Sequence, residues 1–490
     1  MKQEKQIKTI NILHIDGYDK YGGAQKSTVN SLKAIKLALK LSQSNSNLNS
    51  AAAIKNASLT TETDLYNNCY NNCYNNCGDS NKKSECAQSQ NSKYNFNFYV
   101  IHNNNKVYEE ELNNLNIPNF SIKMKNFGDI FAIIRISKFL IKYKINIIVF
   151  HSSKDHVLGG IACFLSGRKI IKILTRHVAY NISFLKGFLI YHLLTDHYIA
   201  ISKYIKNILI DDLKINPDKI TVIYDIRFTD DTAGTDAAEI TDVNDNDIMK
   251  NLKKIEIMAT EITDINHNDI TDTNYIKDIT GINNIEAARS DKIKNYATKE
   301  LNISEGMKIV SIIGRLSNEK GHATFLNAAS SIIKKRKDIK FIIVGDGDLY
   351  GSINEFITNN KLSDYIIMTG FQKDVEQYIK ASDLIIVPSG LEGLGGIIVE
   401  SCMQKKAVIA SNVGGIPEII DDGLTGILFE KDNFHELADK IINVIDNKRM
   451  LDKLGNNCYK KMAEEFNPRK LAEKNINLYL KLLKLKTLNT

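Results

Sequence analysis

No run of about 18 uncharged apolar residues occurs in the 490-residue chain, so a membrane-spanning helix is not expected. The start, "MKQEKQIKTINILHID", is too polar for a secretory signal and runs straight into strand-like sequence. No compact Lys/Arg block interleaved with aromatics is present, which weighs against nucleic acid as a partner. A G-x-G-x-x-G turn followed about 20 residues later by an acid, as a dinucleotide-dependent dehydrogenase needs, is also missing. Cysteine is sparse, at seven residues. Cys163, Cys402 and Cys458 stand singly in apolar or helical segments and are expected as reduced thiols, not as a disulfide framework. These absences predict a cytoplasmic protein.

The other four cysteines, Cys69, Cys73, Cys77 and Cys86, lie in or beside the repeat "YNNCYNNCYNNC". Thiolates at regular spacing suit zinc or an iron–sulfur cluster. The spacing here is C-x3-C, however, and no histidine is near, so a slipped repeat within an Asn/Ser-rich insertion is the alternative. Residues from about 43 to 95 lack apolar periodicity, as do those from about 229 to 297, where "EITDVNDNDI" returns as "EITDINHNDI". Asp242, Asn244 and Asn246 alternate as in a calcium loop, but Asp247 and Lys253 stand where glycine and glutamate are required. Both segments are expected to be surface insertions.

What is present is a chain of 43% hydrophobic and 25% charged residues, as in soluble globular proteins. The formal charge of +7 is compatible with phosphate ligands or an anionic membrane surface and compels neither. Outside the insertions, apolar strand-like runs alternate with helical patterns. "INILHID", "NFYVIH", "INIIVFHS", "KIIKILTRH", "HYIAIS" and "ITVIYD" precede the second insertion; "KIVSIIG", "KFIIVGDG", "YIIMTG", "LIIVPS" and "AVIASNV" follow it. Strands alternating with helices imply parallel sheets covered on both faces, and two sets imply two doubly wound α/β domains. The expected boundaries are 1–300, 301–470 and a C-terminal helix over 471–490. In such folds ligands bind beyond the carboxyl ends of the strands.

One such strand end is "SGLEGLGGIIVESC", residues 389–402. A glycine cluster sits where a strand hands over to a helix predicted to start near Leu394, a position that attracts anions. Glu392 precedes that position and Glu400 lies roughly 9 Å beyond it along the helix, at about 1.5 Å per residue. Two carboxylates flanking an anion site suit a ligand with hydroxyls at both ends of a diphosphate, as in a nucleotide sugar. Further glycine turns follow other strands: "HIDGYDKYGGAQKS" with Gly22 and Gly23, "IIGRLSNEKGHATF" with Gly314, and "SNVGGIPEII". In the second of these, Arg315 and Lys320 supply two cations that would neutralise a diphosphate.

"GRLSNEKG", "VGDG", "EGLGGIIVE" and "ASNVGGIPEII", in this order, resemble the retaining nucleotide-sugar glycosyltransferases of the GT-B fold, the group-1 family. The resemblance is strongest over 305–445 and continues over 8–42 and 97–226. It implies two Rossmann-like domains facing across a cleft, the insertions lying in the first. The family's E-x7-E motif falls on Glu392 and Glu400. By position, Glu400 would hold the ribose hydroxyls and Glu392 those of the donor sugar, while Arg315 and Lys320 would bind the diphosphate. Backbone at Leu394, Gly395 and Gly396 would meet the sugar–phosphate end, with Gly314 beside it and Gly22 and Gly23 closing from the other domain. "GFQKDV", with Phe371, would contact the base, and His177 of "LTRHVAY" would face the sugar.

The implied catalytic set is therefore His177, Glu392, Arg315 and Lys320, with no metal and no cofactor besides the donor. "GDGD" at 345–348 offers a D-x-D pattern, but the family keeps it as structure. The implied partners are a UDP- or GDP-linked donor and a glycan or lipid-linked acceptor, in cell-surface polysaccharide, lipopolysaccharide or glycolipid synthesis. The apolar stretch "NISFLKGFLIYHLLT" is open to two readings, a buried helix or a contact with an anionic bilayer at the inner face of the membrane. Two departures stand out: Gln25 where relatives often have Glu, and "YDIRF" where they often read N-G-I-D. They leave a catalytically degenerate nucleotide-sugar-binding protein as the alternative.

Overall fold

The computed structural model describes residues 8–18, 23–48, 94–177, 191–225 and 301–488. Gly22, the four clustered cysteines, the Asp242–Lys253 stretch and most of the apolar stretch 181–195 lie outside them.

The first domain is a seven-stranded sheet in the order β3-β2-β1-β4-β5-β6-β7, and every pairing in it is parallel. Its strands are β1 (Lys8–Asp16), β2 (Tyr94–His102), β3 (Asn119–Ser121), β4 (Ile147–Phe150), β5 (Ile171–Arg176), β6 (His197–Ala200) and β7 (Ile220–Val222). The helices are α1 (Gly23–Leu48), α2 (Lys106–Asn114), α3 (Ile130–Lys142), α4 (Ser153–Leu165) and α5 (Lys203–Asp211). All four residues of β4 are buried, as befits a central strand covered on both faces. Helix α4 opens with a capping box, in which Ser152 and Asp155 satisfy each other's backbone amides.

The second domain is a six-stranded parallel sheet in the order β10-β9-β8-β11-β12-β13. It contains β8 (Lys308–Ile313), α6 (His322–Ile333), β9 (Ile339–Val344), α7 (Tyr350–Asn359), β10 (Ile366–Gly370), α8 (Glu376–Ala381) and β11 (Leu384–Val387). After these come α9 (Gly396–Met403), β12 (Val408–Ser411), α10 (Ile416–Ile419), β13 (Ile427–Phe429), α11 (Phe434–Ile445) and α12 (Lys448–Glu465). Two Rossmann-like domains are thus present, and in each the sheet reverses direction from its first strand, which creates a crevice at the carboxyl edge.

The last helix, α13 (Pro468–Leu488), leaves the second domain and returns to the first. Leu471, Ala472, Ile476 and Tyr479 join one buried cluster with Ile10, Ile12, Val29 and Leu32. The expected boundary at 470 is therefore a crossing point, and the helix begins at Pro468, not at 471.

Other expectations need correction. Helix α1 runs to Leu48 and β2 begins at Tyr94, so regular elements reach a few residues into the range 43–95 expected for the first insertion. Helix α9 starts at Gly396, because Gly395 precedes it with φ 102°, two residues beyond the expected Leu394. Cys402 and Cys458 are not reduced thiols; they form a disulfide joining α9 to α12, with Cα atoms 5.2 Å apart. Packing of one helix on the other brings together positions separated by 56 residues. Cys163 is a free, buried thiol, as expected. No helix among the described residues is long and apolar enough to cross a membrane.

Candidate functional site

The site lies in the cleft between the carboxyl edges of the two sheets. On the second domain, the strand-to-helix turn 388–396 carries Glu392, whose carboxylate accepts hydrogen bonds from Lys320 Nζ at 2.7 Å and Ser389 Oγ at 3.2 Å. Lys320 is set by the turn after β8. Gly321 follows it at φ 71°, and a Cβ there would meet the Pro388 carbonyl oxygen at 1.8 Å, so the two turns touch backbone to backbone. The "SNVGG" turn packs the same way: the Gly415 amide donates to the Glu392 carbonyl at 3.1 Å, and a Cβ on Gly414 would lie 2.0 Å from that oxygen. Two glycine turns therefore pack backbone to backbone on the turn that carries Glu392, one at Pro388 and one at Glu392 itself.

Glu400 sits on α9, one turn past the glycine cluster, with its side chain only 10% exposed. Its partner comes from the facing domain: Lys26 Nζ on α1 lies 3.2 Å from Oε2. Arg315 stands at the rim, 66% exposed, with Nη2 2.5 Å from Glu319 Oε1. Phe371, just past β10, is likewise exposed. His322, the first residue of α6, is buried in the small cavity that Lys320 also lines, and burial lowers its pKa to about 4, which leaves it neutral. At the "GDGD" turn the Leu316 amide donates to the Asp346 carbonyl at 3.0 Å, which ties this turn to the one after β8.

The first domain contributes a file of histidines. His14 Nδ1 lies 3.0 Å from His151 Nε2, and His151 Nδ1 lies 3.1 Å from His177 Nε2. Burial lowers His14 to about 3 and drives His151 well below its usual value, so both are neutral at pH 7. A neutral imidazole has one N–H. His151 therefore donates through one ring nitrogen and accepts through the other, and its Nδ1 also lies 3.3 Å from Thr28 Oγ1. At its end His177 Nδ1 is 3.6 Å from Asp225 Oδ1, and the same oxygen accepts from Ser27 Oγ at 2.7 Å. Asp16 is buried nearby. Desolvation raises it to about 6, against the opposing effects of the Tyr18 amide, His177 and Gln25.

The domains meet around this site. Ser202 Oγ donates to the Gly393 carbonyl at 2.6 Å, and the Lys203 and Tyr204 amides at the start of α5 donate to the Glu418 carboxylate, each at 2.8 Å. Tyr224 adds a hydrogen bond to Glu418 and stacks on Phe466.

Residues 294–461 match the group 1 glycosyl transferases, and residues 95–225 match glycosyltransferase family 4. The chain belongs to the group 1 glycosyltransferases of the GT-B fold. An uncharacterised glycosyltransferase of Methanocaldococcus jannaschii is 34% identical over 172 residues, 34% of this chain and 47% of that protein. This chain thus spans a little under half the length of that relative. The Escherichia coli UDP-Gal:alpha-D-GlcNAc-diphosphoundecaprenol alpha-1,3-galactosyltransferase is 24% identical over 379 residues, 75% of this chain and 83% of that enzyme. Anabaena HepE in complex with UDP-glucose superposes with a TM-score of 0.64 at 16% identity, covering 96% of this chain and 100% of that one, a likeness of fold.

In this group 1 glycosyltransferase the structure brings His177, Lys320, Glu392 and Glu400 to one cleft, with Gly314, Leu394, Gly395 and Gly396 shaping its turns. Arg315 and Phe371 stand at its edge, and Gly23 is the first residue of α1. Sequence reasoning missed His14, His151, Asp16, Lys26, Ser27 and His322. A signal for two of them was present: "INILHID" and "INIIVFHS", like "KIIKILTRH", each carry a histidine near the carboxyl end of a parallel strand. The departures also find their place. Gln25 Nε2 donates to Asp16 Oδ1 at 3.2 Å, where a glutamate would set two carboxyls together. Asp225 of "YDIRF" faces His177.

Proposed function

We propose that this protein transfers a sugar from a nucleotide-sugar donor to a glycan or lipid-linked acceptor, with retention of anomeric configuration. The observation that carries this reading is the placement of Glu392 and Glu400 on either side of one glycine turn, each already paired with a lysine. In the proposed complex Glu400 holds the ribose hydroxyls, Glu392 holds hydroxyls of the donor sugar, and Phe371 lies against the base. Breaking the sugar–phosphate bond builds positive charge at the anomeric carbon and negative charge on the leaving phosphate. Arg315, Lys320 and the start of α9 face that developing negative charge, the electrostatic contribution expected to dominate. Two fixed cations serve where other enzymes use a divalent ion, so we propose no metal. His177, oriented by its file and Asp225, faces the sugar.

The donor is proposed to be UDP-linked, with GDP-linked sugars the alternative; UDP-glucose in the Anabaena neighbour supports the former. The diphosphoundecaprenol acceptor of the Escherichia coli relative supports a lipid-linked acceptor at the inner face of the membrane. The test is incubation with UDP-glucose, UDP-galactose, UDP-N-acetylglucosamine and GDP-mannose, with and without EDTA. Thermal shift reports donor binding, since a ligand at about 100 times its Kd stabilises by about 2.7 kcal/mol. Transfer or slow hydrolysis, with the product anomer read by NMR, reports catalysis. Binding without turnover of any donor would favour a nucleotide-sugar sensor and overturn the enzymatic reading.

A further inference from the structure

Helix α3 is apolar on both faces. Its inner face buries Ala132, Ile133, Ile136, Phe139 and Leu140 in the core of the first domain. A helix with one side in the core ordinarily shows polar residues to water. The neighbouring α2 does so, exposing Lys106, Glu109 and Glu110. Helix α3 and the segment leading into it instead expose Phe127 (56%), Ile130 (65%), Phe131 (77%), Ile134 (41%) and Ile141 (51%).

The charges on this face have one sign. Lys123, Lys125, Arg135, Lys138, Lys142 and Lys144 are all exposed, and the only acid between 122 and 145 is Asp129. That carboxylate is used within the element, capping α3 by accepting from the Ala132 amide and also from the Lys125 amide, both at 3.1 Å. The face also has a defined position. Lys154 Nζ donates to the Met124 carbonyl at 3.0 Å, and the Met124 amide donates to Asn103 Oδ1 at 2.9 Å. These bonds tie the leading segment to the loops at the carboxyl edge of the sheet. The aromatic end of the face, Phe127 to Ile134, is therefore on the cleft side of the domain, and Ile141 and Lys142 are at the far end of a helix about 20 Å long.

We propose that the outer face of residues 123–144 is the surface on which this protein rests on an anionic bilayer. Phe127, Ile130, Phe131 and Ile134 enter the boundary between headgroups and acyl chains, and the six cations lie on acidic headgroups. This arrangement sets the cleft beside the membrane, where a lipid-borne acceptor presents its sugar. The inference deepens the proposed reading of a lipid-linked acceptor and rests on it for its purpose. It names a different element from the apolar stretch 181–195.

The test is co-sedimentation of the full chain with phosphatidylglycerol/phosphatidylcholine vesicles and with phosphatidylcholine alone, at about 50 and 500 mM salt. The wild type is expected to bind the anionic vesicles at low salt and to be released at high salt, since the Debye length shrinks several-fold. Two double variants, Phe127→Ser/Phe131→Ser and Lys138→Glu/Lys142→Glu, are expected to lose at least ten-fold in vesicle affinity. Their thermal shift with UDP-glucose is expected to match the wild type, which also shows them folded. Absence of vesicle binding by the wild type, or equal binding by all three proteins, would overturn the proposal. A wild-type dimer that Phe127→Ser/Phe131→Ser converts to monomer, without vesicle binding, would assign the face to self-association and overturn it too. Vesicle binding that behaves as expected in a protein that neither binds nor turns over any donor would sink the proposed function and leave the surface standing.

Discussion

Lys26 of the first domain reaches Glu400 of the second, Nζ 3.2 Å from Oε2. The carboxylate proposed for the ribose is thus held in place by a cation from the opposite wall before any donor arrives. Glu400→Ala is expected to weaken nucleotide-sugar binding by about 1–3 kcal/mol, the range for losing hydrogen bonds to a charged group. Calorimetry with UDP-glucose measures it, and wild-type affinity in the variant would refute the role. Lys26→Met is expected to cost under about 1 kcal/mol of stability, because the lysine is partly exposed and such pairs are weak.

Lys320 and Glu392 form the second pair of the site. Replacing Lys320 with Ala removes one of the two cations assigned to the leaving phosphate, and it leaves the Ser389 hydroxyl still donating to Glu392. A fall of about 10²–10³ in kcat is expected, by analogy with loss of one preorganised donor at a developing anion. Single-turnover kinetics separates this from weaker binding. An unchanged kcat with raised KM would place Lys320 in ground-state binding alone.

The buried histidines set the response to acid. His14 is lowered to about 3, His156, His197 and His322 to about 4, and His151 well below its usual value, all chiefly by burial. A histidine kept neutral in the fold binds its proton more readily when unfolded. Its contribution is intact above the usual 6.5 and is lost as pH falls from there towards 4. Asp16, raised to about 6, acts in the opposite sense, favouring the fold at lower pH within about 4 to 6. Burial also lowers His102 and raises Asp155, so six histidines oppose two aspartates and the urea midpoint is expected to fall between pH 7.5 and 5. His14→Asn is expected to flatten that slope, and an unaltered slope would contradict the burial argument.

Under oxidising conditions the Cys402–Cys458 bridge closes a loop of 56 residues. Chain-entropy reasoning gives about 4 kcal/mol for a loop of that size. Dithiothreitol is therefore expected to lower the melting temperature of the wild type and to leave that of Cys458→Ser unchanged. Equal melting curves with and without reductant would show that the bridge contributes nothing.

Much of this fold is legible in the sequence, for an identifiable reason. A parallel strand covered on both faces must be apolar throughout, so "IIVF" and "LIIV" announce themselves. The strands that escape notice are Asn119–Ser121 and Ile427–Phe429, three residues each and both at a sheet edge, where no continuous run is needed. The two glutamates of the site are readable because eight positions on one turn and helix fix their separation. The histidine file is not local: parallel pairing sets His14 against Val149 and so brings His151 alongside, 137 positions away in the chain. Likewise only the packing of α9 on α12 shows that two scattered cysteines are partners.

Helix α13 also dictates a sequence of events during synthesis. Ile10, Ile12, Val29 and Leu32 emerge from the ribosome early, but the side chains that cover them, Leu471, Ala472, Ile476 and Tyr479, are translated after the whole second domain. Domains generally fold as units as they appear, and exposed apolar surface invites misassembly. Here the first domain must wait with an uncovered flank until the second has been made, and a helix from beyond the second domain seals the first.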